Sequence, residues 1–185
     1  MNTKNNTRSQ KTGKRIKEAF LEIIGEGIKP EDVSVTAVCE RAGIHRSSFY
    51  LHYSVPTEIL EVIEKETMAD MASYMENISQ ESLTDSVESI LFFIRDNDLA
   101  FRTILLSPEG EERIGRLLTE KVFGIYEADV DAKARPLLPY LHSYISGGSK
   151  DVVINWIKKG YRESPATIAN LLTALSKSAI SGLLD

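Results

Sequence analysis

The sequence predicts an all-α protein, and three observations carry that prediction. Apolar residues recur at spacings of three and four along most of the chain after residue 15, as one buried helix face requires. Sustained period-two alternation, the mark of a half-buried strand, does not occur. Segment boundaries carry glycines, prolines and Ser-Pro pairs that start or stop helices. With 185 residues, 42% of them hydrophobic, the chain can bury a substantial core. It is expected to divide into a three-helix N-terminal domain over 1–55 and a longer antiparallel helical domain over 56–185.

Residues 1–12 are polar and cationic, with almost nothing to bury against the entropy of ordering, and are read as a flexible basic arm. A first helix is expected from near Gly13, with Ile16, Ala19, Phe20, Ile23 and Ile24 on one face. Gly25 and Gly27 stop it, Pro30, Glu31 and Asp32 form a connection, and Ser34 or Thr36 can cap a short helix over Val35–Ala42. Gly43 can take the positive φ of a tight turn, Ile44 plugs that turn, and a second short helix follows over His45–Leu51. Neither short helix is stable alone. Their inward residues Val35, Val38, Ala42, Ile44 and Phe49 need the Ile16–Ile24 stripe as cover, and Cys39 is small enough for the point where the two cross.

Pro56 opens a long helix whose apolar face runs from Ile59, Leu60, Val62 and Ile63 through Met68, Met71 and Met75 toward Asn77. Further helices are expected over Leu83–Asn97, Leu99–Leu106, Glu109–Ala128, Pro136–Lys159 and Pro165–Leu184. Ser107-Pro108 and Ser164-Pro165 supply starts, while Lys158, Lys159 and Gly160 supply a stop.

The net charge of −5 conceals a division. Residues 1–53 carry nine Lys or Arg against six acids, a balance of +3, and the remainder carries thirteen against twenty-one, a balance of −8. The first seventeen residues hold six cations and no acid. A basic head on an acidic body restricts any polyanionic partner to the head. The longest uninterrupted apolar run is the five residues Ile90–Ile94, far short of the roughly 20 that span a bilayer. No apolar leader segment opens the chain, so a soluble, cytoplasmic protein without a membrane partner is expected. A single cysteine leaves no internal disulfide.

The outward face of the second short helix carries Arg46, Ser47, Ser48, Tyr50 and His52, with no carboxylate among them. Such a helix fits a major groove about 12 Å wide, where arginine pairs with guanine edges and hydroxyls bond bases or phosphates. Thr36 at the edge of this face and Lys14 and Arg15 on the first helix complete the candidate DNA-binding set. The plainer reading is a solvated polar face. The basic head and the acid-free surface favour DNA.

Residues 35–60 resemble the DNA-binding signature of the TetR family of bacterial transcriptional regulators. The resemblance rests on Val38, Ala42-Gly43-Ile44, Ser47-Ser48, Phe49-Tyr50, His52-Tyr53 and Glu58-Ile59-Leu60. It implies a homodimer with one headpiece per subunit, residues 45–51 as the reading element, and a C-terminal helical domain that binds a small ligand and dimerises. It also implies a ligand-responsive repressor on a palindromic operator. Pro56 stands where family members commonly place a phosphate-contacting lysine, and Lys14, Arg15 or Lys17 can substitute. His45 stands where a small capping residue is usual.

The segment Tyr144–Ile157 and the run from Ile168 to Ile180 are similar to the last two helices of one TetR subgroup, which there form a four-helix dimer interface. Gly147, Gly148 and Ser149 permit close helix approach, and Leu172, Leu175, Ala179 and Leu183 repeat as a seam. Gly148, Trp156, Leu172, Leu175, Ala179 and Leu183 are therefore the candidate dimer residues, against the alternative of an intramolecular helix pair. Core is the default for aromatics at helical spacing. The candidate lining of an effector pocket is Phe92, Phe93, Phe101, Tyr126, Tyr140, His142 and Tyr144.

Enzyme readings fare poorly. The spacing C-x5-H-x6-H of Cys39, His45 and His52 matches no metal-ligand pattern, and Gly147-Gly148-Ser149 completes neither a phosphate loop nor a nucleophile elbow. No cofactor, metal or catalytic residue is assigned. The competing class is a helical protein-interaction adaptor that retains a vestigial or non-specific DNA-binding headpiece.

Overall fold

The structure is a computed structural model and describes residues 3–77, 82–123 and 135–181. Among the described residues there are helices and turns and no strand. None of these helices is long and apolar enough to cross a membrane. The chain divides into two compact units, Met1–Thr67 and Met68–Asp185.

In the first unit α1 (Thr3–Gly25), α2 (Val35–Ala42) and α3 (Arg46–Phe49) are followed by the opening turns of α4 (Thr57–Asn77), and a 3-10 turn over Pro30–Asp32 joins α1 to α2. Helix α1 packs on α2 and α2 on α3. Of the residues read as core from spacing, Ile16, Ala19, Phe20, Ile23, Ile24, Val38, Cys39, Ala42 and Phe49 are buried, whereas Val35 and Ile44 are only half-buried; Tyr53, Ile59 and Ile63 are buried as well. The division falls after Thr67 rather than at 55/56. Lys17 of α1 pairs with Glu66 of α4, and the Glu58 carboxylate accepts the Ser54 N–H at 2.7 Å. Both bonds tie the head of α4 to this unit.

Two boundaries differ from expectation. Helix α1 begins at Thr3, ten residues before the expected start near Gly13, so residues 3–12 are helical rather than an irregular arm. Once the Ile16–Ile24 stripe has nucleated a helix, each added residue gains one backbone bond without repeating the nucleation cost. Helix α3 is shorter than His45–Leu51. The Phe49 carbonyl accepts from both the His52 N–H (2.8 Å) and the Tyr53 N–H (3.0 Å), which closes the helix into a turn.

The second unit contains the rest of α4, then α5 (Leu83–Asp96), α6 (Asp98–Ile104), α7 (Pro108–Phe123), a 3-10 turn over Arg135–Leu137, α8 (Leu138–Lys158) and α9 (Pro165–Ser181). Helix α5 packs on α9, α8 receives α6, α7 and α9, and a shared core gathers Met71, Leu91, Ile94, Phe101, Ile114, Trp156, Ile157 and Leu172. Ser82 caps α5 and Ser164 caps α9, each through its hydroxyl oxygen. The expected ends at Ala128 and Leu184 lie outside the described residues. After α8, Gly160 (φ 76°) and Tyr161 (φ 55°) reverse the chain. The Tyr161 ring stands edge-on to Trp156 at 4.7 Å, and the Trp156 indole N–H donates to the Glu163 carbonyl at 2.9 Å.

Candidate nucleic-acid interface

Helix α2 starts at Ser34, whose extended backbone places Oγ to accept the Ala37 N–H at 3.1 Å. A cap of this kind contributes about 1 kcal/mol. The helix ends at Gly43 (φ 60°, ψ 47°). There the Gly43 N–H donates to the Glu40 carbonyl at 3.2 Å and the Ile44 N–H to the Cys39 carbonyl at 3.0 Å. These paired bonds form a Schellman turn, with apolar Ile44 just beyond it. Arg15 of α1 donates from Nη2 to the Gly43 carbonyl at 3.3 Å, so α1 and the turn are joined by a side chain. Arg41, the cation of α2, pairs with Glu26 at 2.8 Å and Glu22 at 3.4 Å on α1. Its pKa is raised, mainly by the Glu26 hydrogen bond and then by that of Glu22.

Phe49 anchors α3 from beneath and is fully buried. It holds Tyr50 edge-on at 5.6 Å and Tyr53 tilted at 5.9 Å. Burial pushes the Tyr53 hydroxyl pKa up, and the neighbouring Glu66 carboxylate adds to it. With Phe49 pointing inward, Arg46, Ser47 and Tyr50 face solvent and Ser48 lies half-buried beside them. Tyr50 is 58% exposed. His45 precedes α3 in extended backbone and makes no side-chain cap bond, in keeping with an imidazole where a small cap is usual.

The structure brings Thr36 and Arg46 together: the Arg46 guanidinium donates to Thr36 Oγ1. One of its five N–H donors is thereby used, and the rest of the fork remains for other acceptors. His52 lies against α1, its Nδ1 3.5 Å from where a Cβ on Gly13 would stand. Lys14 points to solvent and pairs with Glu18 at 3.6 Å. Of the three cations considered as substitutes at Pro56, Lys17 is engaged by Glu66, Arg15 by the Gly43 carbonyl and Lys14 by Glu18. The sequence reading passed over Arg8 and Lys11 as individual site residues. Both are exposed on α1, and their spacing of three was the available signal.

The aromatic set of the second unit is not gathered into one cavity. Phe101 is fully buried in the core, Phe93 packs between Phe101 and Tyr74, and Phe92 lies at the surface with the Arg95 guanidinium 4.8 Å from its ring centre. Tyr126 lies outside the described residues. Tyr140 and Tyr144 are exposed on α8 and His142 is half-buried between them. With Leu137, Leu141, Leu175, Ser178 and Ala179 the two tyrosines line an open groove of about 550 Å³ between α8 and α9.

That groove joins the two C-terminal sets, because Leu175 and Ala179 came from the dimer set and Tyr140 and Tyr144 from the pocket set. Gly148 is exposed with open space around it. Trp156 and Leu172 instead belong to the core of their own unit, since the Trp156 ring is held by Tyr161 and Glu163. Leu183 lies outside the described residues.

Two short helices locked by a Schellman turn, a carboxylate-free exposed face on α3 and a second helical unit define a helix-turn-helix protein with an all-α companion domain. Residues 81–178 match the TetR-type family described as transcriptional regulator C-terminal region. The chain belongs to the TetR family of transcriptional regulators. Its fold is similar to that of the TetR transcriptional regulator from Streptococcus agalactiae 2603V, with a TM-score of 0.72 and 17% identity over 94% of this chain and 98% of that one. It is also similar to the dihydroxyacetone kinase operon activator DhaS, with a TM-score of 0.66 and 18% identity over 92% and 96% of the two chains. A bacterial regulatory protein of the tetR family from Rhodococcus RHA1 follows at a TM-score of 0.61, with 16% identity over 91% and 96%. No curated protein matches the chain in sequence.

Proposed function

We propose that this regulator binds a palindromic DNA operator as a homodimer and acts as a ligand-responsive repressor, with α3 as its reading element. The observation that carries this reading is the exposed face of Arg46, Ser47 and Tyr50, free of carboxylates and seated on a buried Phe49. Arg46 reads a guanine edge through its remaining donors, Ser47 and Ser48 bond bases or phosphates, and Tyr50, His52 and Lys14 hold the backbone. Arg15 acts through the turn it braces, and Thr36 acts through Arg46.

Dimerisation is assigned to the α8–α9 face. Tyr140 is 75% exposed, Tyr144 72% and Leu175 56%, and Gly147 and Gly148 leave room for a close helix crossing. Two-fold pairing there would present two headpieces to half-sites about 34–36 Å apart or a multiple of that spacing. An effector bound in the C-terminal domain would release DNA only as far as it prefers the spacing that DNA does not. The operator is found by selecting bound duplexes from a random pool. Enrichment of a palindrome bound in preference to its scrambled sequence at moderate salt supports the reading, and no enrichment refutes it. A promoter fused to that palindrome reports direction, with repression expected and activation overturning that part.

A further inference from the structure

The reading of α3 as a DNA reader leaves residues 3–12 of α1 without a task, yet they are helical from Thr3 onward. Among the described side chains of α1 the earliest buried one is Ile16, and residues 7–11 are exposed, so no apolar packing accounts for the composition of 7–11. Arg8, Lys11 and Arg15 stand at i, i+3 and i+7. At 3.6 residues per turn these positions fall within an arc of about 60° on one side of the helix. The stripe has a fixed end, because Arg15 donates to the Gly43 carbonyl at the turn between α2 and α3, and Gly13, two residues earlier on α1, lies against His52.

Arg8 and Lys11 differ from Lys14 and Lys17. Lys14 pairs with Glu18 and Lys17 with Glu66, whereas among the described residues no carboxylate lies within ion-pair range of Arg8 or Lys11. No acid occurs before Glu18. A row of unneutralised cations on a helix, running outward from the DNA-reading turn, fits a linear polyanion. From Arg15 back to Arg8 the helix rises about 10 Å, long enough to bring more than one cation to the phosphates of one strand.

We infer that the N-terminal part of α1 is a helical cationic rod, braced on the helix-turn-helix by Arg15, that lays Arg8 and Lys11 along the phosphate backbone of the duplex flanking the half-site. The inference rests on the DNA-binding reading above and deepens it. The rod extends the footprint beyond the bases α3 can reach and supplies affinity without sequence preference. It also takes over the phosphate contact that Pro56 leaves unmade. Because the charges are held on one helical face, their register matters as well as their number.

The test uses the full-length chain, the duplex selected from a random pool and a scrambled duplex of equal length, with binding measured by fluorescence anisotropy across a salt series. R8Q/K11Q should weaken both duplexes by the same factor and lower the slope of log K against log salt by about 1.8 per subunit, at about 0.9 per phosphate contact. A second variant, R8S/S9R/Q10K/K11Q, keeps the composition of charge but moves both cations about 100° around the helix. It should lose as much as R8Q/K11Q, with far-UV circular dichroism confirming that both variants remain helical. Wild-type binding by the register variant would overturn the rod in favour of a flexible arm, and wild-type binding by R8Q/K11Q would overturn any phosphate role for the segment. Both results would leave the DNA-binding reading standing. Failure of the wild-type chain to bind either duplex would refute that reading itself and the rod with it.

Discussion

Replacement of Gly43 by alanine tests the joint on which the interface depends. Gly43 sits at φ 60° and ψ 47°, a left-handed conformation that costs a residue with a Cβ about 1–2 kcal/mol. The new Cβ would also come within 2.9 Å of Arg15 Nη2. That atom ends a flexible side chain and can retreat, so the clash costs little beyond the 3.3 Å bond to the Gly43 carbonyl. The expected penalty is thus about 1–2 kcal/mol, set by the backbone. Asparagine, which tolerates this region better than alanine, should fall between glycine and alanine.

Hydrogen exchange at the Gly43 and Ile44 amides reads the turn directly, because both N–H groups are its closing bonds. At a factor of ten per 1.4 kcal/mol, Gly43→Ala should lower their protection about 5- to 30-fold. Protection within twofold of wild type would refute the argument from left-handed strain. So would an asparagine variant less protected than the alanine one.

Arg46→Ala should abolish most of the preference for the selected palindrome over scrambled duplex, at about 1–3 kcal/mol for a bidentate contact, while Lys14→Ala weakens both duplexes alike. Thr36→Val should lose part of the same preference through Arg46, so its effect should vanish in an Arg46→Ala background; a full additive loss there would show that Thr36 meets DNA itself. Leu175→Glu places a charge on the exposed groove between α8 and α9 and should convert dimer to folded monomer in light scattering, whereas a dimer retained at micromolar concentration would remove that face as the interface. Burial raises the pKa of Tyr53 and Tyr161, so between about pH 10 and their folded values the unfolded chain holds fewer protons than the folded one. Stability should therefore fall as pH climbs past about 10, and a pH-independent unfolding midpoint from pH 9 to 11 would contradict this.

Much of the headpiece was legible from local signals. Local sequence names Ser34 or Thr36 as cap, Gly43 as turn and Phe49 as core; Ser34 is the cap, Gly43 the turn and Phe49 is buried, while Ile44, read as the plug, is half-buried. The reason is that caps, Schellman turns and helical faces are written within five or six consecutive residues. The start of α1 was not legible, because its polar opening turns borrow their nucleus from Ile16–Ile24 further along. Nor was the bond between Thr36 and Arg46, ten residues apart, which depends on how α2 and α3 cross.

The C-terminal unit shows the same division. Spacing alone marked Phe92, Phe93 and Phe101 as helix-borne aromatics. Packing against α9 and α8 decided which of them is core, which is wedged against Tyr74 and which lies open beneath Arg95. Leu172 and Leu175 are three residues apart in one seam pattern, and one is 7% exposed while the other is 56% exposed.

By itself the sequence determined that this protein is all helical, that it turns at Gly43, that Arg46 lies on a carboxylate-free short helix, and that its net positive charge lies in the head. These follow from periodicity, φ preference and composition, which are properties of short stretches. The tertiary structure alone decided which cations are already paired and which leucines and aromatics face outward. Each of those depends on residues distant in the chain, and only folding sets the distances between them.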